Sequence, residues 1–199
     1  MTRGDDDAFV SRAGRKLAAA LDAFGLDVAG AICADFGCNV GGFTDCLLRR
    51  RAARVYAVDT GYGALAWTLR TSDRVVVMER TNALHCPVPE PVDLVTIDVG
   101  WTPQSRIVPA AMRWLKPAGG GRIVSLLKPH YELGREAGAR PHRPIEDAEG
   151  RDVCRRVCHE LAGGGWEVRA AMQSVLRGKG GNAEFLLLLA APRSRGLLC

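Results

Sequence analysis

The chain has 199 residues, of which 47% are apolar and 25% are charged, and its formal net charge is +5. This length and composition predict one globular domain with a real core and exclude disordered and fibrous proteins. The longest apolar run, residues 185–191, is about a third of the roughly 20 residues that span a bilayer, and the polar start excludes a secretory signal, so we expect a cytoplasmic protein.

The first half of the sequence alternates helical patterns with short apolar runs. Ser11 is placed to cap a helix whose apolar residues recur at helical spacing until Gly25. The apolar runs that follow predict strands, and three of them carry an acid at or next to the carboxyl end. Strands are predicted at residues 31–36, 54–59, 74–78 and 92–98, and helices at residues 43–51 and just before residue 70.

The second half continues the alternation. We predict helices at residues 104–115 and 146–161, strands at 122–127, 166–173 and 184–190, and a long loop at 128–144. Alternating strands and helices predict an α/β domain with a mostly parallel sheet and helices on both faces. About ten residues without a helix join the last two strands, so the last strand should be antiparallel. Residues 9–191 form the expected domain, with a disordered segment at 1–8 and a tail at 192–199.

Three acids stand at the predicted strand ends, where ligands of open α/β sheets bind. They are Asp35, Asp59 and Asp98. A carboxylate after the second strand suits a ribose diol. The loop at residues 37–42 is rich in glycine but lacks both the dinucleotide fingerprint and a phosphate cradle. This pattern favours a nucleoside-bearing cofactor without phosphates, such as S-adenosylmethionine, and disfavours a nicotinamide-dependent oxidoreductase.

The seven cysteines do not indicate a disulfide framework, because no secretory signal accompanies them. Cys154, Cys158 and His159 lie at helical spacing, but no second pair of ligands stands at zinc-finger spacing. We therefore expect no metal site.

A series of ordered motifs resembles the FtsJ-type methyltransferases, and in particular the haemolysin-A (TlyA-like) branch of ribosomal-RNA 2′-O-methyltransferases. The resemblance implies a Rossmann-like, seven-stranded methyltransferase fold with S-adenosylmethionine as methyl donor. Members of that branch usually carry an N-terminal S4 RNA-binding domain, and this sequence begins where the catalytic domain would. The motifs are residues 10–17 (VSRAGRKL), 35–37 (DFG), 41–48 (GGFTDCLL), 56–59 (YAVD), 79–82 (ERTN), 93–99 (DLVTIDV), 127–129 (LKP) and 181–185 (GNAEF).

The resemblance also implies roles for individual residues. The catalytic set of the family maps onto Lys16, Asp98, Lys128 and Glu184. The expected cofactor-binding residues follow the first, second, third and fourth strands; they are Asp35, Gly37, Cys38, Gly41, Gly42, Phe43, Asp59, Asn82 and Asp98.

The chemistry of the transfer agrees with this set. A ribose 2′-hydroxyl is a poor nucleophile, and its proton must leave as the methyl group arrives. A lysine accepts that proton only when burial or a neighbouring cation lowers its pKa. Lys128 is the expected base, with Lys16 as the neighbouring cation, and two carboxylates would orient the amines.

The expected substrate is RNA, held by a basic surface around the catalytic mouth. The surface residues we predict are Arg12, Arg15, Arg135, Arg140 and Arg143, with a partner protein replacing the S4 domain. Four aromatic residues either stack on bases or belong to ordinary packing: Tyr62, Trp67, Trp101 and Tyr131.

Two other functions stay open at this point. One is a methyltransferase that acts on a small molecule or a protein. The other is a non-catalytic RNA-binding or assembly protein that keeps the same fold. The predicted site residues also have structural alternatives: Asp35 and Asp59 could cap helices, and Lys16 and Glu184 could be solvated surface residues.

Overall fold

The computed structural model describes residues 9–117, 120–133 and 145–191. Its strands are β1 (Ile32–Phe36), β2 (Arg54–Val58), β3 (Val75–Met78), β4 (Leu94–Ile97), β5 (Arg122–Leu127), β6 (Glu167–Gln173) and β7 (Phe185–Ala190). Its helices are α1 (Ala13–Ala23), α2 (Gly42–Arg49), α3 (Trp67–Arg70), α4 (Gln104–Met112), α5 (Pro129–Leu133) and α6 (Asp147–Gly163).

The strands form one seven-stranded sheet in the order β3-β2-β1-β4-β5-β7-β6. The pairs from β3 to β5 are parallel, and β7 runs antiparallel to both β5 and β6. The predicted fold class is therefore confirmed, including the antiparallel last strand. The chain winds outward from β1 to β3 and then returns to β4 on the other side of β1, so the strand order reverses between β1 and β4. Ligands of open α/β sheets bind at such a point.

Apolar side chains cover both faces of this sheet. Strands β4 and β7 are buried at every position, and in β7 this burial accounts for an unbroken apolar run. One core cluster contains α1 and α2, and the other contains α4, α6 and the fully buried Trp114. The Trp114 ring packs edge-on against Phe36 and Tyr56, with ring centroids 5.3 and 5.9 Å apart. Helices therefore lie on both faces, as the alternating pattern predicts.

The structure differs from the sequence expectations in several element bounds; helix α4, for example, ends at Met112, three residues before its predicted end. The predicted loop at 128–144 begins with α5, a helix of five residues that is too short to show a helical period. Helix α6 extends through Gly163, two residues beyond its predicted end. The rest of that loop (134–144), residues 1–8 and residues 192–199 lie outside the described residues. Within the described ranges, no helix is long and apolar enough to cross a membrane.

Helix α1 crosses α2 at a contact between two glycines. A Cβ on Gly42 would lie 2.2 Å from Ser11 Oγ and 2.9 Å from the Cβ of Ala13. A Cβ on Gly14 would lie 2.9 Å from the carbonyl oxygen of Gly42. The Ser11 Oγ also accepts the N–H of Ala13 at 3.3 Å, although the N-cap residue of α1 is Arg12 and not the predicted Ser11. The absence of these two side chains lets the start of α1 approach the glycine loop.

A Gly42→Ala substitution should therefore lower the free energy of unfolding by about 1–3 kcal/mol, because the new methyl group forces α1 away from α2. Chemical denaturation measures this change. Gly163→Ala is the matched control, since a Cβ there meets no atom within 4 Å, and its stability should equal or slightly exceed that of the parent. Equal stability of Gly42→Ala and the parent would contradict the close contact.

Candidate active site

Two lysine–carboxylate ion pairs line one cavity of about 390 Å³ at the carboxyl ends of the strands. Lys128 Nζ lies 2.5 Å from Asp98 Oδ1 and donates to the carbonyl oxygen of Val99 at 3.3 Å. Lys16 Nζ pairs with Glu184 Oε2. The structure thus brings all four predicted catalytic residues to the same cavity.

The topology of the sheet explains how residues so far apart in sequence meet. Asp98 follows β4 and Lys128 follows β5, and these strands are parallel neighbours. Strand β7 runs the other way, with Phe185 opposite Leu127, so the residue that precedes β7 lies at the same edge of the sheet. That residue is Glu184.

The two ion pairs differ in their exposure to water. The side chains of Lys16 and Glu184 are only 7% and 4% exposed, whereas those of Lys128 and Asp98 are 16% and 21% exposed. The interaction with Glu184 therefore replaces the hydration that the Lys16 amine loses on burial, because an unpaired buried charge is very costly. The Lys128 amine is the one that keeps access to water and to an incoming ligand.

His130 and Tyr131 of α5 form an aromatic wall beside Lys128. Their ring centroids are 4.2 Å apart, and Tyr131 also packs against Trp101 at 5.0 Å. Burial, together with the charge of Lys128, lowers the pKa of His130, so its imidazole is neutral near pH 7. The wall therefore adds aromatic surface to the cavity without adding charge.

A second cavity of about 420 Å³ lies over the point where the strand order reverses. It shares Gly37 and Asp98 with the first cavity, so the two are continuous along this edge of the sheet. Its size lies within the range of small-molecule sites. Its lining combines the polar residues Asp59 and Asn82 with apolar side chains such as Leu84 and Ile107.

These residues fit a nucleoside. Asp59 Oδ2 accepts the N–H of Asn39 at 2.8 Å, and Asp59 Oδ1 accepts the N–H of Gly61 at 2.7 Å. Each carboxylate oxygen has two acceptor sites, so both keep one for a hydroxyl of a ribose. The apolar side chains offer the surface that a base needs. Polar and apolar residues in one cavity match the ribose and the base of S-adenosylmethionine's adenosine.

The predicted cofactor-binding residues divide between the two cavities. Gly37, Asp59, Asn82 and Asp98 line the second cavity. Three others line the first cavity together with Gly37 and Asp98; they are Cys38, Gly42 and Phe43.

Asp35 and Gly41 line neither cavity, contrary to expectation. The Asp35 carboxylate is fully buried and accepts hydrogen bonds from Thr44 Oγ1 at 2.7 Å and Thr96 Oγ1 at 2.9 Å. Gly41 lies in the left-handed region, with φ of 102°, where a Cβ would lie 2.3 Å from Leu69. Both residues therefore support the loop at residues 37–42 through buried contacts.

The predicted RNA-binding arginines are separated. Arg12 lies at the mouth of the first cavity and donates to the carbonyl oxygen of Arg177 at 3.2 Å. Arg15 faces a different groove, which it shares with Arg49 and Arg50. Arg135, Arg140 and Arg143 lie outside the described residues.

The four aromatic candidates also differ in position. Trp101 lines the second cavity and Tyr131 the first. Tyr62 is exposed and lies under the Arg80 guanidinium, whose carbon is 4.2 Å from the ring centroid. Trp67 is also exposed and lies at the start of α3. Only Trp101 and Tyr131 of the four line the cavities described above.

Sequence reasoning missed part of the cavity wall. Gly178, Lys179 and Gly180, in the loop between β6 and β7, line the first cavity, as does His130. The signal was present in the run Gly-Lys-Gly-Gly just before residues 182–184. A lysine between glycines beside a predicted catalytic residue indicates a backbone that approaches the site closely.

The chain matches the FtsJ-like methyltransferase family over residues 9–191. It belongs to that family. The 16S/23S rRNA (cytidine-2′-O)-methyltransferase TlyA of Mycobacterium tuberculosis is 41% identical over 197 residues, which cover 96% of this chain and 71% of that relative. Hemolysin A of Brachyspira hyodysenteriae is 32% identical, and the match covers 89% of this chain and 75% of the relative.

A solved structure of a hemolysin-like protein from Streptococcus thermophilus resembles this FtsJ-like chain closely. The TM-score is 0.84 at 34% identity, and the match covers 96% of this chain and 70% of that one. Family membership confirms the predicted resemblance, the methyltransferase activity and S-adenosylmethionine as the donor. The roles of individual residues stay predictions.

Burial of Asp35 makes the stability of this FtsJ-like fold depend on pH. Desolvation raises the pKa of Asp35 from 3.8 to about 7. A carboxyl whose pKa is higher in the folded state stabilises the fold below its unfolded pKa, and this contribution is lost as the pH rises through the folded pKa. The contribution of Asp35 to the free energy of unfolding is therefore lost between about pH 4 and pH 7.

Asp35→Asn should remove this pH-dependent contribution to stability, because the amide does not titrate. The free energy of unfolding of the parent, minus that of Asp35→Asn, should fall by up to about 4 kcal/mol between pH 4 and pH 7. Urea denaturation at a series of pH values measures the difference, in which the contributions of all other acids cancel. A difference that does not change with pH would show that Asp35 is ionised in the fold throughout this range.

Proposed function

We propose that this protein transfers the methyl group of S-adenosylmethionine to a ribose 2′-hydroxyl of ribosomal RNA. The observation that carries the proposal is the meeting of two lysine–carboxylate pairs in one cavity, directly beside a second cavity that suits a nucleoside. The TlyA relative is named as an rRNA 2′-O-methyltransferase, which supports the same reaction here.

The donor belongs in the second cavity. Asp59 would accept hydrogen bonds from the ribose hydroxyls, with Asn82 beside it, and Leu84 and Ile107 would contact the base. S-adenosylmethionine supplies, when bound, a methyl group on a positively charged sulfur. The two cavities meet at Gly37 and Asp98, so the methyl acceptor belongs in the first cavity, next to Lys128.

The chain's own residues then position the acceptor and move its proton. Lys128, in its neutral form, would accept the proton of the 2′-hydroxyl at Nζ while the oxygen bonds to the methyl carbon and the bond between that carbon and the donor's sulfur breaks. Asp98 Oδ1 and the Val99 carbonyl hold that amine in place from two directions. Fixed positions of base and acceptor supply much of the rate, because the transfer disperses charge rather than creating it.

The second pair has a different role. Lys16 forms its ion pair with Glu184 in a nearly closed environment. The positive charge of that pair would stabilise the acceptor oxygen as it loses its proton. Glu184 is needed so that this charge stays buried.

The proposed partner is ribosomal RNA or a ribosomal subunit, and the proposed compartment is the cytoplasm, where that RNA lies. Arg12 would contact RNA at the mouth of the first cavity. Arg15 would contact a more distant part of the RNA, since it faces another groove. We treat residues 9–191 as the catalytic unit.

Incubation of the protein with tritiated S-adenosylmethionine and ribosomal RNA from a strain lacking this gene tests the function. We expect label in RNA, on ribose 2′-oxygens, after digestion to nucleosides. Label on a small molecule or protein instead would favour the alternative methyltransferase. Binding of RNA without any transfer would favour a non-catalytic assembly protein.

Asp59→Ala should weaken S-adenosylmethionine binding by roughly 1–3 kcal/mol, because it removes two hydrogen bonds to the ribose. Isothermal titration calorimetry measures the loss. Asp73→Ala is the matched control, since Asp73 is an exposed acid just before β3, at the opposite edge of the sheet. Unchanged affinity in a folded Asp59→Ala protein would contradict the placement of the donor.

Lys128→Ala should reduce methyl transfer by a factor on the order of 10² or more, while the affinity for S-adenosylmethionine stays near that of the parent. Single-turnover assays with saturating RNA separate the chemical step from binding. Lys116→Ala should keep the parent rate, because Lys116 pairs with Asp93 at the opposite edge of the sheet. A folded Lys128→Ala protein that transfers at the parent rate would exclude Lys128 as the base.

A further inference from the structure

The loop between β6 and β7 places a lysine over the catalytic cavity. Gly178, Lys179 and Gly180 form part of the cavity wall, and the Lys179 side chain is exposed. The loop lies directly on the catalytic carboxylate, since a Cβ on Gly178 would be 2.5 Å from Glu184 Oε1. Only glycine allows this approach, so the next residue is held beside the reaction centre.

Several hydrogen bonds brace this loop from both sides. The Arg177 guanidinium donates to both carboxylate oxygens of Asp147 in α6, at 2.8 and 2.6 Å, and to the Gly181 carbonyl at 3.0 Å. Arg12 donates to the Arg177 carbonyl from the side of α1. Within the loop, the N–H of Gly178 donates to the Asn182 carbonyl at 3.0 Å. The backbone that carries Lys179 is therefore fixed on two helices.

The net positive charge of the cavity is concentrated at this loop and at Arg12. Six charged side chains line the cavity, four of them cations and two of them carboxylates. The two ion pairs balance Lys16 and Lys128. Among the residues that the structure describes, neither Arg12 nor Lys179 has an ion-pair partner, so the surplus of positive charge lies at the mouth.

A lysine without an ion-pair partner is unusual among the described residues. The sequence has four lysines. Lys16, Lys116 and Lys128 are each paired with a carboxylate. Lys179 is the remaining one, and it projects from a braced loop at the mouth of a reactive cavity. A lysine that only increases solubility would not require a loop fixed by these hydrogen bonds.

The chemistry of RNA supplies a ligand for this charge. A ribose 2′-hydroxyl is attached to the carbon next to the one that bears the 3′-phosphate, so a phosphate necessarily accompanies the hydroxyl to Lys128. We propose that Lys179, together with Arg12, binds the phosphodiester next to the target ribose and so fixes the position of the 2′-hydroxyl. This proposal rests on the proposed function and adds a positioning residue to it.

The test compares Lys179→Ala, Lys179→Arg and the control Lys116→Ala with the parent. Methyl transfer from tritiated S-adenosylmethionine to ribosomal RNA from a strain lacking this gene gives kcat and KM. Binding of a fluorescently labelled fragment of the same RNA is measured at several salt concentrations. Calorimetry with S-adenosylmethionine alone verifies that the donor site is intact in each variant.

For Lys179→Ala we expect KM for RNA to rise about fivefold or more, because one charge-assisted contact is lost. The log–log slope of binding against salt should become shallower by about 0.7, the value of one phosphate contact on single-stranded RNA. Lys179→Arg should restore both values, and donor affinity should not change in any variant. Lys116→Ala should behave as the parent.

Equal KM and equal salt slope for Lys179→Ala and the parent would overturn the proposal. A loss that Lys179→Arg does not restore would also overturn it as stated, because any phosphate-binding cation should serve. If the parent binds RNA but transfers no methyl group, the proposed function fails while the binding measurement still decides the role of Lys179. If the parent binds no RNA, both fail.

Discussion

The buried ion pair between Lys16 and Glu184 is the interaction on which the site depends. It joins the first helix to the start of the last strand, across 168 positions of sequence. Removing two charges from water is costly, and the cost is tolerable only when each charge faces the other in a fixed geometry. The contact of α1 with α2 and the antiparallel direction of β7 together supply that geometry.

The rest of the site follows from the reversal of strand order between β1 and β4. The parallel strands end at one edge, and their last residues or the residues that follow them surround both cavities. Asp98 is common to the two cavities and also holds Lys128. One carboxylate thus stands where the proposed donor and the proposed acceptor meet, which explains how two substrates of different size are aligned by a single strand end.

Much of this arrangement could be predicted from the sequence, because acids after apolar runs and the motif order are local signals. The cofactor-binding role of Asp35 stays a prediction, and the structure shows how this acid differs from the other two. Asp59 and Asp98 follow the last residue of their strands and reach the edge, whereas Asp35 lies inside β1 and its side chain turns into the core. The predicted strand at residues 31–36 ends where β1 ends, and an acid one position before that end points to a face of the sheet. Helix α5 is too short to show a helical period, and the run Gly-Lys-Gly-Gly does not by itself show which cavity Lys179 lines.

The position of β7 between β5 and β6 has a consequence for the order of events during synthesis. Until residues 185–190 leave the ribosome, β5 has an open edge, β6 has no neighbour in the sheet, and Lys16 has no carboxylate. Pairing of such distant segments is slow, and an open strand edge invites association with other chains. A nascent chain therefore lacks the Lys16–Glu184 pair and is prone to aggregation until its last strand inserts. The predicted catalytic residues come together and the sheet is completed in the same step.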